Sequence, residues 1–112
     1  MQPDSSITHR AFFGDTERIF TLRTPQVIEL ERQTGVGVGA LFARLAGKQF
    51  KLADIAETIR LGLIGGGCDP QEAASLIAAY VQDRPFSETF PLAIEILSFL
   101  WFGNTREAST DA

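Results

Sequence analysis

Breaks rich in glycine or proline divide residues 24–102 into five segments, in which apolar residues recur at three- and four-residue steps. That spacing places apolar side chains on one face of a helix, so each segment predicts an amphipathic helix. Glycine ends helices because it adopts the left-handed conformation of a helix end, and proline cannot continue the hydrogen-bonded ladder. The breaks fall at residues 35, 47, 65–67 and 83–85. The sequence therefore predicts a mainly α protein with about five helices.

The clearest helix start in the chain is at Asp69. Asp69 can cap the free amides of a helix, Pro70 suits its first turn, and Glu72 stands three residues after the cap. For the first helix, Thr24 is the predicted cap and Pro25 the predicted first helical residue. Both positions therefore predict helix N-termini.

The last helical segment is apolar on nearly all sides. Only Glu95 and Ser98 are polar within residues 92–102, and the helix is expected to start in the interval 85–91. A helix of this kind is buried on more than one side, and aromatic residues are enriched in binding hot spots. We therefore predict that this helix also forms a protein-interaction surface. The candidate interaction residues are Ile96, Phe99, Leu100, Trp101 and Phe102.

Residues 7–23 favour extended structure and contain a turn at residues 14–17. Gly and Asp in that turn, between alternating apolar residues, predict a two-stranded hairpin. Residues 1–6 and 104–112 are polar, and we expect both ends to be disordered. The predicted domain is thus residues 7–103, an N-terminal β-hairpin followed by about five helices in a compact orthogonal bundle.

Charge and cysteine content narrow the functional classes. The formal net charge is -4, and no run of Lys or Arg supplies the basic stripe of a nucleic-acid binder. The most apolar stretch, residues 91–102, is shorter than the roughly 20 residues that cross a bilayer. The N-terminus lacks the features of a secretion signal, and one cysteine cannot form an internal disulfide. We expect a soluble cytoplasmic protein that binds neither nucleic acid nor membrane.

Two glycine-rich loops invite comparison with phosphate-binding loops. A dinucleotide loop needs a preceding strand and the spacing G-x-G-x-x-G, whereas residues 35–39 follow a predicted helix and their third glycine comes one place early. Residues 65–67 precede a helix start at which Asp69 already supplies a carboxylate. We expect the first loop to end a helix and the second to be a flexible joint between helices.

His9 and Cys68 are the only histidine and the only cysteine. A structural zinc site needs about four ligands, which these two cannot supply, and neither has neighbours typical of an activated nucleophile. A Cys–His pair would form only if the fold brought them together. Asp54 and Glu57 lie off the apolar stripe of one predicted helix, which favours a solvated face over acid–base chemistry. We therefore expect no enzyme, cofactor or metal site.

Several segments resemble those of the small tail proteins of phages and phage-derived gene transfer agents. The similar segments are FTLRT at 20–24, VIELE at 27–31, TG at 34–35, LFARL at 41–45 and IAETIRLGL at 55–63. The resemblance covers about residues 8–103, and its most specific part is the helix end in which Leu30 and Glu31 are followed by Thr34 and Gly35. Such proteins are described as tail assembly chaperones of the gene-transfer-agent type and also as tail tube proteins.

The resemblance implies a role in tail assembly without catalysis. Related proteins are encoded between the major tail protein and the tape-measure protein, and are described as coating the tape-measure chain until tube subunits polymerise around it. The implied partners are the tape-measure protein and the tail tube protein, and self-association would multiply weak contacts along one extended client. The alternative is a structural, tube-associated component retained in the particle, although a tube subunit normally needs a larger β-sheet than this chain can supply.

Overall fold

A computed structural model describes residues 6–103 of the chain, so the end segments expected to be disordered lie outside the described residues except for Ser6. Two antiparallel strands precede five helices. The elements are β1 (His9–Phe13), β2 (Thr16–Phe20), α1 (Thr24–Thr34), α2 (Val38–Ala46), α3 (Leu52–Gly65), α4 (Pro70–Tyr80) and α5 (Phe86–Phe102). This architecture confirms the predicted class, a mainly α protein with an N-terminal hairpin followed by five helices.

The hairpin turn is shorter than the four residues expected from the sequence. Phe13 pairs with Thr16, so only Gly14 and Asp15 form the turn. Gly14 has a φ of +72°, a conformation that suits glycine at the first central position of a type II′ turn. A Cβ at this position would also lie 2.5 Å from the ring of Tyr80. Glycine is thus required both by the turn and by the packing of α4 beneath it.

Helix α3 lies at the centre of the fold and packs against α1, α4, α5 and β2. Its apolar face contributes Ile55, Ile59 and Leu63 to the core, and each of these side chains is at most 1% exposed. The other elements surround this face with fully buried residues. These include Phe20, Leu22, Leu30, Leu41, Leu45, Ile96 and Leu97.

The C-terminal turn of α3 packs directly against the backbone of β2 and the residue that follows it. The Thr21 amide donates a hydrogen bond of 3.0 Å to the Gly62 carbonyl. A Cβ on Gly65 would lie 1.9 Å from the Thr21 carbonyl oxygen, and one on Gly66 would lie 2.2 Å from the Ile19 carbonyl oxygen. The prediction of a flexible joint at residues 65–67 is therefore wrong for Gly65 and Gly66, because both are held in a close backbone contact that only glycine permits.

The junction between α1 and α2 explains the helix-end motif of the sequence. The Thr34 hydroxyl donates to the Leu30 carbonyl at 2.8 Å, and Gly35 ends the helix with a φ of +81°. The Glu31 carboxylate then accepts a hydrogen bond of 2.9 Å from the Val38 amide at the start of α2. The motif thus closes one helix and caps the next, which is a structural role for each of its residues.

The two predicted helix caps have different outcomes. Asp69 caps α4 as expected, accepting hydrogen bonds from the Gln71 amide at 3.0 Å and the Glu72 amide at 3.3 Å. The prediction that Thr24 caps α1 is wrong, because Thr24 is already the first helical residue and the extended Arg23 occupies the cap position.

Helix α5 begins at Phe86, within the predicted interval of residues 85–91, and Pro91 lies inside the helix. Pro91 has no amide hydrogen and cannot donate the helical bond to the Ser87 carbonyl. Both residues are exposed, so water can satisfy that carbonyl.

We predict that Gly65→Ala lowers the free energy of unfolding by about 3 kcal/mol or more, because the added Cβ would collide with the rigid Thr21 carbonyl. Gly39→Ala is the matched control. Gly39 lies within α2, its Cβ would approach Trp101 no closer than 3.8 Å, and alanine favours a helix. Urea unfolding followed by circular dichroism measures both. A Gly65→Ala protein as stable as the unmodified protein would contradict the close contact.

Candidate functional site

The carboxylate of Asp54 is buried, which corrects the prediction that Asp54 and Glu57 share a solvated helix face. Asp54 is fully inaccessible to solvent. Its carboxylate accepts two hydrogen bonds from the Arg44 guanidinium, at 2.8 and 3.0 Å, and one of 2.8 Å from the Lys51 amide. This ion pair fastens α2 to the start of α3. The sequence did not show it because the partner lies on the preceding helix, across a loop.

Other carboxylates of the helices also have structural partners. Glu57 forms an ion pair of 2.6 Å with Arg60, one turn further along α3. On α1, hydrogen bonds from Arg32 and Gln33 lower the pKa of Glu29 to about 2. These pairs lie on helix surfaces and join residues of the same helix, so they support the helices rather than forming a catalytic pair.

The helix N-termini next to the two glycine-rich loops already hold carboxylates. Glu31 accepts from the first amide of α2, and Asp69 accepts from two amides of α4. A bound phosphate would meet like charge at either position. Gly35 ends α1 as predicted, and the residues before it are helical rather than extended, so the arrangement of a dinucleotide-binding loop is not formed there.

His9 and Cys68 lie in different surroundings. The His9 ring lies 4.6 Å from the Phe99 ring and 6.5 Å from the Phe20 ring. Cys68 lies in the loop before α4, where burial and the nearby Glu72 carboxylate raise the pKa of its thiol. A raised pKa disfavours the thiolate that a nucleophile requires. Within residues 6–103, no group of three or more His, Cys, Asp or Glu side chains is placed to hold a metal ion.

Two cavities lie beside the hairpin. The larger one, of about 270 Å³, lies between β1 and the first half of α5. The smaller one, of about 220 Å³, lies between β2 and the loop that leads into α4. Both volumes fall below the roughly 300–1,000 Å³ that is usual for small-molecule pockets.

The C-terminal turn of α5 exposes two large aromatic side chains. Trp101 is 58% exposed and Phe102 is 55% exposed. Both contact Phe42 of α2, with ring centroids 5.5 Å from Trp101 and 6.4 Å from Phe102. We call these three residues the aromatic surface. Adjacent exposed aromatic rings of this kind are characteristic of protein-binding patches.

A second aromatic cluster lies at the other end of α5. The Phe50 ring lies 5.5 Å from the rings of Phe86 and Phe90, and the Lys48 ammonium lies 5.5 Å from the Phe90 ring. Phe86 is 49% exposed. Phe90 precedes Trp101 by eleven residues, which separates this cluster from the aromatic surface by about 16 Å along the helix axis.

The five candidate interaction residues occupy three different environments. Ile96 is 1% exposed and lies in the core, so it is not part of the exposed surface. Phe99 packs on His9, and Leu100 is partly buried against the core. Only Trp101 and Phe102 project into solvent. Their interaction with another protein stays a prediction.

Phe42, the third member of the aromatic surface, was not among the candidates. Its sequence position, next to Leu41 and one turn before Leu45, indicates only the core face of α2. In the structure Leu41 and Leu45 are fully buried, while Phe42 lies at the edge of that face and contacts α5. A three-residue shift along a helix is close to a full turn, so periodicity alone does not separate a core residue from one at its margin.

The fold and its exposed aromatic residues define a small helical protein whose surface suits protein contacts. None of the helices in residues 6–103 combines the length and hydropathy needed to cross a membrane. Residues 6–103 match the family model described as phage tail tube protein, GTA-gp10. Since the match covers nearly the whole chain, this protein belongs to that family. Comparisons with curated proteins and with solved structures gave no match.

We predict that Asp54→Ala lowers the free energy of unfolding by about 3 kcal/mol, because it leaves the Arg44 guanidinium and the Lys51 amide without their partner. Glu57→Ala is the control on the same helix, and its partly exposed pair with Arg60 predicts a loss of about 0.5 kcal/mol. Urea unfolding of the three proteins compares them. Equal losses in the two variants would show that burial of the Asp54 pair is unimportant.

Proposed function

We propose that this protein is a non-enzymatic assembly chaperone of phage or gene-transfer-agent tails that binds the tape-measure protein in the host cytoplasm. Membership of the tail tube family supports a role among tail proteins. The proposal adds that the contact is made through the aromatic surface. The observation that supports this contact is the exposure of Trp101 and Phe102 beside Phe42.

The aromatic surface has the chemistry that an apolar helical client requires. Trp and Phe bury large areas with little loss of side-chain entropy, and such residues dominate binding energetics. Trp101 and Phe102 both rest against the ring of Phe42, so the patch offers apolar contact. A tape-measure helix with an apolar stripe could bury that patch in the manner of a helix in a groove.

The small size of the sheet supports a transient role over a place in the tube wall. The described residues contain two strands of five residues each, joined in one sheet. A tube subunit is expected to need a larger sheet to build a continuous wall. A chaperone needs only an exposed binding surface and a stable helical core.

The second candidate is a structural tail component that remains in the particle. The family description, phage tail tube protein, favours this alternative. The same aromatic surface would then contact the tail tube protein permanently. The two functions differ in whether the protein leaves when the tube is complete.

We predict that Trp101→Lys weakens binding to the tape-measure protein of the same genome by about thirtyfold, the effect of losing a hot spot of about 2 kcal/mol. Lysine is chosen because a positive charge is compatible with the C-terminal end of a helix. Ile28→Lys is the matched control, since Ile28 is 61% exposed on α1, another helix. Co-expression, co-purification and isothermal titration of the two proteins measure the effect.

Both variants must first show the far-UV circular dichroism and urea midpoint of the unmodified protein. Loss of binding in Trp101→Lys alone is the result that the proposal predicts. If Ile28→Lys weakened binding to the tape-measure protein equally, the aromatic surface would not be the binding site. If the unmodified protein binds the tail tube protein and not the tape-measure protein, the structural alternative is favoured instead.

A further inference from the structure

The two outer edges of the hairpin differ in how they are covered. The edge of β2 faces the end of α3, where Gly66 packs on the Ile19 carbonyl and the Thr21 amide bonds to Gly62. The sheet contains only β1 and β2 within residues 6–103, so no third strand pairs with β1 in the described part of the chain. The hairpin therefore has one edge covered by α3 and one edge that no strand pairs with in the described residues, with α5 packed beside β1.

The register shows which backbone groups face the open edge. Phe13 and Thr16 flank the two-residue turn and therefore exchange both of their backbone hydrogen bonds. Hydrogen-bonded pairs alternate along an antiparallel ladder, so the backbone amide and carbonyl of Ala11, two residues before Phe13, also point towards β2. The amides and carbonyls of Arg10 and Phe12 consequently point away from β2. Neither residue forms a backbone hydrogen bond to any other element of residues 6–103.

The side chains at this edge are also exposed. Phe12 is 72% exposed, the largest value among the bulky apolar residues described, and Arg10 beside it is exposed and forms no ion pair within residues 6–103. Glu17 and Ile19, their partners on β2, share the same outer face. Exposed edge strands are usually protected by short length, bulges, proline or inward charges. β1 has two protective features, a length of five residues and the charge of Arg10, but its unpaired edge also carries the exposed apolar side chain of Phe12.

We propose that β1 pairs with β1 of a second copy of this chain, antiparallel and centred on Ala11, to give a four-stranded sheet across a two-fold axis. In this register Arg10 lies directly opposite Phe12 of the second copy, and the same pair recurs by symmetry. A guanidinium beside an aromatic ring is a favourable cross-strand pair. This pairing is independent of the proposed binding to the tape-measure protein.

Charge selects this register over its neighbours. Centring the pairing on Arg10 would place two Arg10 side chains opposite each other, and like charges directly opposite are unfavourable. Centring it on Phe12 would place Arg10 opposite Gly14, where the strand of the second copy has already turned. Shifting by one residue would set the outward-facing groups of one copy against inward-facing groups of the other.

The groove beside β1 gives a second reason for a strand to lie there. The cavity of about 270 Å³ adjoins the open edge. Its lining includes Phe12, Phe13, Tyr80, Thr89 and Leu92. Thr89 is 2% exposed, and within residues 6–103 its hydroxyl has no hydrogen-bond partner. A strand of the second copy would run past this groove and bring polar groups towards that hydroxyl.

Sedimentation velocity of the full chain, up to ~100 µM, tests the proposal, since a dimer in the micromolar range is the scale expected for a small interface. The unmodified protein is expected to dimerise. Phe12→Lys places a lysine opposite Arg10 of the second copy, and we expect dimerisation to weaken by at least tenfold. Arg10→Pro removes an outward-facing amide without touching the β1–β2 ladder, and we expect a similar loss.

The double variant Arg10→Glu with Phe12→Lys tests the register. Glutamate would then face lysine of the second copy, so dimerisation is expected to recover relative to Phe12→Lys alone. Ile28→Lys on α1 is the control and should leave the dimer intact, and circular dichroism confirms that each variant is folded. A monomeric unmodified protein overturns the proposal. So does a dimer that survives both Phe12→Lys and Arg10→Pro, or an edge that pairs only when the tail tube protein is added.

Discussion

The close contact between the end of α3 and the backbone of β2 is the constraint on which the other packing depends. Gly65 and Gly66 allow that approach because a side chain at either position would overlap a carbonyl oxygen. A Cβ added at Gly62, one turn earlier, would lie 3.4 Å from Phe20 and 3.5 Å from Ile96. One short helical turn therefore sets the distance of α3 from both the hairpin and α5. The hairpin, marginal by itself, gains its stability from this contact.

The position of α5 follows from the same arrangement. Ile96 and Leu97 fill the core beside α3, and Phe99 packs on His9 of the hairpin. The last turn extends beyond these contacts, and Trp101 and Phe102 rest on Phe42 of α2. The aromatic surface is thus exposed because the last turn of α5 extends past the part of the helix that packs on α3 and the hairpin. A stable core and an apolar patch beside it are what a protein-binding role requires.

The sequence predicted the elements well because helix ends are determined locally. The cap at Asp69 and the left-handed Gly35 depend on neighbouring residues only. The burial of Asp54 could not be predicted in this way, because its partner Arg44 lies on another helix. The aromatic surface was predicted in part, since periodicity identified an apolar helix without showing that Ile96 points inward while Trp101 points outward. The predicted flexible joint was wrong at Gly65 and Gly66, because a packed glycine and a flexible glycine look alike in a sequence.

The proposed chaperone role requires the protein to be present during assembly and absent from the finished tail. Quantitative mass spectrometry of purified particles, compared with the lysate from which they came, measures this directly. We expect peptides of the tail tube and tape-measure proteins to be recovered from the particles, while those of this chain remain in the lysate. Recovery of this chain from the particles in constant proportion to the tail tube protein would contradict the chaperone role and identify a structural component of the tail.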